Sequence, residues 1–200
     1  MLVGCIITYN DYPLIAECVN SLIGKVDKII CIDGRYRDFP GSTDYSTDGT
    51  LEFLEEKTEL IRTAGLTEVE KRNLYLNQLT DGDICLNLDS DEILKGNIPE
   101  LVTDFGIIDL ADGHSKHVQD RATRFFKYRT GMEYKNVHYT LYYNGRQINN
   151  LKKVISPDFS SQKIKEFYLL HNWHRRSVSR RQLKSTYYKK LVQNERGYPR

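Results

Sequence analysis

The chain has few of the residues that build unusual scaffolds: four cysteines, one tryptophan, two methionines and five prolines in 200 residues. Cys5, Cys18, Cys31 and Cys85 lie inside apolar segments, without the spacing of a metal knuckle. That excludes a disulfide framework or a cysteine-bound zinc as the organising principle, and the thiols read as small hydrophobes in a reducing compartment. No apolar run approaches the ~20 residues that cross a bilayer. The start, Met1 to Ile7, lacks the basic residues and cleavage site of a leader and reads as a buried strand, so the expectation is a cytoplasmic protein. There is no excess of one charge either. A formal net charge of +2 makes nucleic acid unnecessary as a partner.

What is present is an ordinary globular composition, 40% hydrophobic and 28% charged, with enough length for a single domain over 1–200. The charge is uneven. From His171 onward there are nine Lys or Arg residues and one acid, Glu195. Such a tail faces water, a phosphate-bearing substrate or a membrane surface, the last as a peripheral contact.

The first half alternates apolar runs with helical periodicity. Strands are expected over 2–8, 26–32, 60–61 and 83–88. Between them lie helices carrying Leu14 to Leu22, Leu51 and Leu54 (with Ser46 as N-cap), and Val69 to Leu79. That alternation predicts an α/β fold with a mostly parallel sheet. Ligands then bind beyond the carboxyl ends of the strands, where Tyr9-Asn10-Asp11, Asp33 and Asp89-Ser90-Asp91 fall. In the second half, 121–128 and 137–143 read as antiparallel strands extending the sheet, and 178–192 as a basic helix.

Two carboxylates one residue apart after a buried strand suit a hard divalent cation, which can neutralise phosphate oxygens. By itself an Asp-x-Asp triplet is more often a solvated turn capping the next helix. Asp33 can accept hydrogen bonds from a ribose or a base imide. Arg72, on the helix before the Asp-x-Asp strand, can reach a diphosphate or buttress Asp33. His171 and His174 follow the apolar stretch 167–170, and a histidine projecting there can complete a metal shell.

Five segments in order resemble family 2 glycosyltransferases of the GT-A fold. They are Ile6-Ile7-Thr8-Tyr9-Asn10, Ile30-Cys31-Ile32-Asp33-Gly34, Ser46-Thr47-Asp48-Gly49-Thr50, Lys71-Arg72-Asn73 and Leu86-Asn87-Leu88-Asp89-Ser90-Asp91-Glu92. The resemblance covers roughly 1–95, and more loosely His171 to His174. It implies a GT-A-like (Rossmann-like) α/β fold with helices on both faces, and inverting transfer from a nucleotide-diphosphate sugar, a UDP-sugar favoured. The acceptor hydroxyl, on a glycan, a lipid-linked molecule or another compound, is not specified. Carried over, Thr8, Tyr9, Asn10, Asp33 and Arg72 hold the nucleotide, with Asp89 and Ser90 beside it. Asp89, Asp91 and His171 attend Mn²⁺ or Mg²⁺, His171 fitting better than His174 because it directly follows the strand.

The chain departs from the family in two places. An insertion, 35–45, separates Asp33-Gly34 from Ser46. Where relatives carry Val-His-Glu this chain reads Val137-His138-Tyr139, so the base is sought at Glu133, with His138 or Asp120 as alternatives. A haloacid-dehalogenase-type phosphohydrolase would carry its Asp-x-Asp on the first strand, and a pyrophosphorylase would open on a glycine-rich loop. A catalytically degenerate nucleotide- or glycan-binding protein is the remaining rival.

Overall fold

The computed structural model describes residues 1–115, 117–136, 140–150 and 152–195. Its central strand is β1 (Leu2–Thr8). Val3, Cys5 and Ile7 enter one core and Ile6 the other, as the two-residue period of a strand requires. Parallel neighbours flank it on both sides, β2 (Lys28–Asp33) and β4 (Ile84–Asp89), and β3 (Glu59–Arg62) pairs in parallel beyond β2. β1, β2 and β4 are covered on both faces, which is why they read as largely continuous apolar runs, whereas β3 is only partly buried at the edge.

α1 (Leu14–Leu22) lays Ile15, Cys18, Val19 and Leu22 into one core, and α2 (Thr50–Lys57) adds Leu54 to it. α3 (Glu68–Leu76) packs Tyr75 and Leu76 on the opposite face. A reciprocal capping box starts α3: Thr67 Oγ1 accepts from the Glu70 amide, and the Glu70 carboxylate accepts from the Thr67 amide. Ser46 caps nothing. α2 begins four residues later, after Gly49 in the left-handed conformation, and Ser46 is spent on Asp33 instead.

The second half builds more sheet than its sequence pattern suggests. β5 (Glu92–Gly96), β6 (Phe105–Asp112), β7 (Val118–Lys127) and β11 (Ser161–His171) join the first four strands. Together they form one curled, mostly parallel eight-stranded sheet of order β3-β2-β1-β4-β7-β6-β11-β5. β8 (Met132–Asn136), β9 (Thr140–Tyr143) and β10 (Arg146–Gln147) make a separate antiparallel sheet. α4 (Val178–Glu195) closes the described chain. Among the described residues no helix is long and apolar enough to cross a membrane. The arrangement is consistent with the GT-A-like fold that the resemblance implies.

β11 hides from a pattern search for a specific reason. Its pairing with β6 shifts register between Lys163 and Tyr168, so buried positions step from Ile164 to Phe167 to Leu169. The bulge breaks the period of two, and only the part after it reads as a strand. Its end decides the site, because β11 delivers His171 opposite Glu92.

Candidate functional site

Strand order reverses between β1 and β4, and the crevice at such a switch point lies beyond the carboxyl ends. The turn from β4 into β5 carries Ser90 and Asp91 there. Asn172 N donates to the Asp91 carbonyl at 2.8 Å, tying the end of β11 to this turn. The consequence is a side-chain meeting: His171 Nε2 lies 3.3 Å from Asp91 Oδ2. Burial pushes the Asp91 carboxyl up, but the hydrogen bond from His171 and the charges of Arg176 and Lys184 outweigh it, and the pKa falls below the usual range. For His171, burial alone would lower the pKa. The bond to Asp91, then the charges of Asp91, Glu92 and Asp89, raise it instead.

A cation already stands at these oxygens. The Arg176 guanidinium donates to Asp91 Oδ2, to Asp11 Oδ1 at 3.0 Å and to Ser90 Oγ at 3.1 Å. Ser90 Oγ in turn donates to Asp11 Oδ2 at 2.5 Å. Arg180 donates to the Tyr9 carbonyl, and Lys184 Nζ lies 3.7 Å from Asp11. Asp11 is buried, which opposes ionisation, yet Lys184 and Arg176 hold its pKa well below the carboxylate range. The basic tail is therefore not merely a solvated face. Part of it neutralises the acidic strand ends.

Asp91 and His171 are the two side chains here that could hold a divalent ion. Ligands about 2.1 Å from one octahedral ion stand about 3 Å apart, close to the observed separation. Arg176 already supplies a positive charge to Asp91. Asp89 is engaged differently: Arg72 donates to it at 3.0 Å and Arg124 approaches to 3.6 Å. Among the described residues there is no cluster of three His, Cys, Asp or Glu side chains able to hold a metal. Water or phosphate oxygens would have to complete the shell, as is common for Mg²⁺-type ions.

A cavity of about 720 Å³ opens beside this cluster, bordered by Asp89, Asp91, His171, Arg124, Trp173 and Arg176. Asp120 also lines it, half-buried and 3.0 Å from Lys152. Glu133 does not: it pairs with Lys135 at 2.8 Å on the separate small sheet. His138 lies outside the described residues. His174 faces Trp173 and His114 rather than the carboxylates.

The expected nucleotide contacts at β1 and β2 are placed otherwise. Asp33 accepts from both the amide and the hydroxyl of Ser46. Asn10 donates its amide to Ser46 Oγ and accepts from Thr47 N. Tyr9 Oη donates to the Thr43 carbonyl at 2.7 Å. Thr8 is buried with its hydroxyl unpartnered. None of the four borders the cavity; Tyr9, Asn10 and Asp33 pin the 43–48 loop. Arg72 likewise does not buttress Asp33. It bonds Glu68 and Asp89, and the neighbouring Lys71 takes the other position.

Lys71 is fully buried, donates to the Gly34 carbonyl, and lies 4.2 Å from the centroid of the Tyr36 ring. The turn that presents that carbonyl needs glycine, since Gly34 has φ +141° and a Cβ would sit 2.0 Å from the Thr63 oxygen. Burial pulls the Lys71 pKa down to about 7, against the opposing charge of Asp33. An unfolded lysine titrates near ~10.4, so between these values the unfolded chain binds the extra proton. Stability should then rise with pH above about 7, by at most ~1.4 kcal/mol per unit. Denaturant titrations of wild type and Lys71→Met at pH 7, 8 and 9 isolate this contribution. The difference should move steadily in favour of wild type, and a constant difference would show that Lys71 stays charged throughout.

Part of the chain is similar in structure to Staphylococcus aureus TarS. Against the crystal structure of TarS 1-349 the TM-score is 0.44 at 24% identity, covering 60% of this chain and 38% of that one. Against a second crystal structure of S. aureus TarS it is 0.42 at 23% identity, covering 58% of this chain and 23% of that one. The match thus spans well under half of either TarS chain. No protein-family model matches the sequence, and no curated protein matches it.

Proposed function

We propose that the chain is a metal-dependent glycosyltransferase that takes a sugar from a nucleotide-diphosphate donor, a UDP-sugar by preference, and passes it to a hydroxyl acceptor with inversion. One observation carries this reading: Asp91 and His171 meet at the rim of a cavity whose other charged walls include Arg124, Arg176 and Lys184. A divalent cation at Asp91 would release Arg176 for a diphosphate, so the two ligands together match that pattern of charge.

On this reading Asp91 and His171 hold Mn²⁺ or Mg²⁺, which when bound neutralises the leaving diphosphate. Arg176 exchanges its carboxylate partners for phosphate oxygens, and Arg124 and Lys184 supply further positive charge. Asp120 is the base. It lines the cavity; burial pushes its pKa up, but the bonds from the Arg121 amide and Lys152, with the charges of Lys152 and Arg124, together bring it below the usual range. The ionised carboxylate takes the acceptor proton, the acceptor oxygen bonds to the anomeric carbon, and the bond to the nucleoside diphosphate breaks on the opposite face. Trp173 and α4 supply one wall of the cavity, α4 through Arg181, Lys184 and Tyr188.

The test is calorimetric titration of UDP in Mn²⁺ and in chelator, with donor hydrolysis followed in parallel. Binding should tighten at least about tenfold with metal, ~1.4 kcal/mol, and slow hydrolysis of a UDP-sugar should require it. Equal affinity in chelator would reject metal dependence. Tight binding without any turnover would mark a degenerate binder.

A further inference from the structure

We infer that Glu68 reads the nucleobase of the donor by accepting its imide N–H, an assignment that rests on the nucleotide-sugar reading above. Glu68 opens α3, is 3% exposed and lines the cavity. Its Oε1 accepts from Arg72 Nε at 3.1 Å, while Oε2 is buried with no hydrogen-bond partner. A buried carboxylate oxygen left unsatisfied is costly and calls for an explanation. A ligand N–H or O–H in the cavity supplies one.

The position favours the base over the rest of the donor. Arg72 bridges Glu68 and Asp89, so Glu68 stands one guanidinium away from the acidic turn, on the β1–β2 side of the switch point. Ile7, Tyr36 and Tyr188 line the same cavity, and Tyr36 belongs to the chain just after β2. Asp91, His171 and Arg176 form a second cluster, joined by their own contacts. The lining thus includes an aromatic and apolar set with the buried Glu68 carboxylate beside it, and a densely charged set. A flat base with one polar edge suits the first, and a diphosphate with its cation suits the second. Asp33 does not border the cavity, and each of its oxygens already accepts from Ser46.

A carboxylate only accepts hydrogen bonds. Uracil presents N3–H, a donor, at the middle of its pairing edge, whereas cytosine presents an acceptor there, which Glu68 would repel, and its donor lies one position away at N4. The site should therefore select uridine over cytidine nucleotides. Glu68→Gln sharpens the test. Arg72 Nε can only donate, so the glutamine oxygen must face Arg72 and the NH₂ must face the cavity. The hydrogen-bonding polarity of the site is then reversed at constant shape.

The experiment measures binding of UDP, CDP, N3-methyl-UDP and pyrophosphate, all in Mn²⁺, to wild type and Glu68→Gln, with thermal melting as the check on folding. Wild type should prefer UDP over CDP by about 10- to 100-fold, and N3-methyl-UDP should fall to the level of CDP without any mutation. Glu68→Gln should weaken UDP by a similar factor, hold or strengthen CDP, and leave pyrophosphate unchanged. An unchanged UDP-to-CDP ratio in the variant, or equal weakening of both, would place Glu68 on the ribose or in the scaffold and overturn the assignment. Should folded wild type bind pyrophosphate but neither nucleotide, the donor reading itself falls, and Glu68 with it.

Discussion

Asp91→Asn will lose about 10³-fold in transfer rate and will bind UDP equally in Mn²⁺ and in chelator. The reason lies in how the side chain is held. Asp91 is 2% exposed, yet its carboxylate stays ionised because His171 and Arg176 both donate to it. An amide keeps the volume and can still accept from Arg176, but it is a poor ligand for a hard cation. The Lewis-acid contribution of a bound metal is several kcal/mol, and ~1.4 kcal/mol is a factor of ten in rate. Folding should survive. Arg176 retains Asp11 and Ser90, so a loss of about 1 kcal/mol and of ~2–4 °C in melting temperature is expected. His171→Ala should raise the Mn²⁺ requirement at least tenfold, ~1.4 kcal/mol, and His174→Ala should not, since its ring packs on Trp173 and His114. Undiminished activity of Asp91→Asn in excess chelator would end the metal assignment.

The parallel half of the fold was legible because its strands are buried on both faces. Val3 to Ile7 and Ile29 to Ile32 have no polar face to break the apolar run, and Gly24, Gly34 and Gly82 punctuate the turns with positive φ. β6 and the start of β11 were not, since buried and less buried positions alternate irregularly around three register shifts. The site was legible where chemistry is local in sequence. Asp89-Ser90-Asp91 announces itself, and His171 follows an apolar stretch. Asp11 and Arg176 give no such signal, because the partners are 165 residues apart and each alone looks like a surface charge. Lys71 and Arg72 show a finer limit. Adjacent helical residues point about 100° apart, so a basic pair in sequence does not say which member meets Asp33 and which meets Asp89.

Glu92 illustrates the same limit with the largest expected cost to stability. As the fourth residue of Asp-Ser-Asp-Glu it resembles a solvated acid, yet it is completely buried at the start of β5. Both of its oxygens accept from Arg124 Nη1 at 2.6 Å, and one also accepts from the Asp89 amide at 2.8 Å. It therefore ties β5 to β7 and fixes the backbone from which Asp89 and Asp91 project. Glu92→Ala leaves the Arg124 guanidinium, 8% exposed, without its shortest ion pair. Breaking one side of a buried pair costs about 3–5 kcal/mol, which for a domain of this size is roughly 10 °C in melting temperature. Replacing both partners is different, because a hydrophobic pair of similar volume is often neutral or better. Glu92→Met with Arg124→Met should recover most of the lost stability. It should not recover nucleotide binding, because Arg124 also faces the cavity. Melting curves and UDP titrations of the single and double variants separate the two roles. A single variant within about 1 kcal/mol of wild type would mean that the pair does not hold the turn. A double variant that binds UDP like wild type would remove Arg124 from the donor site.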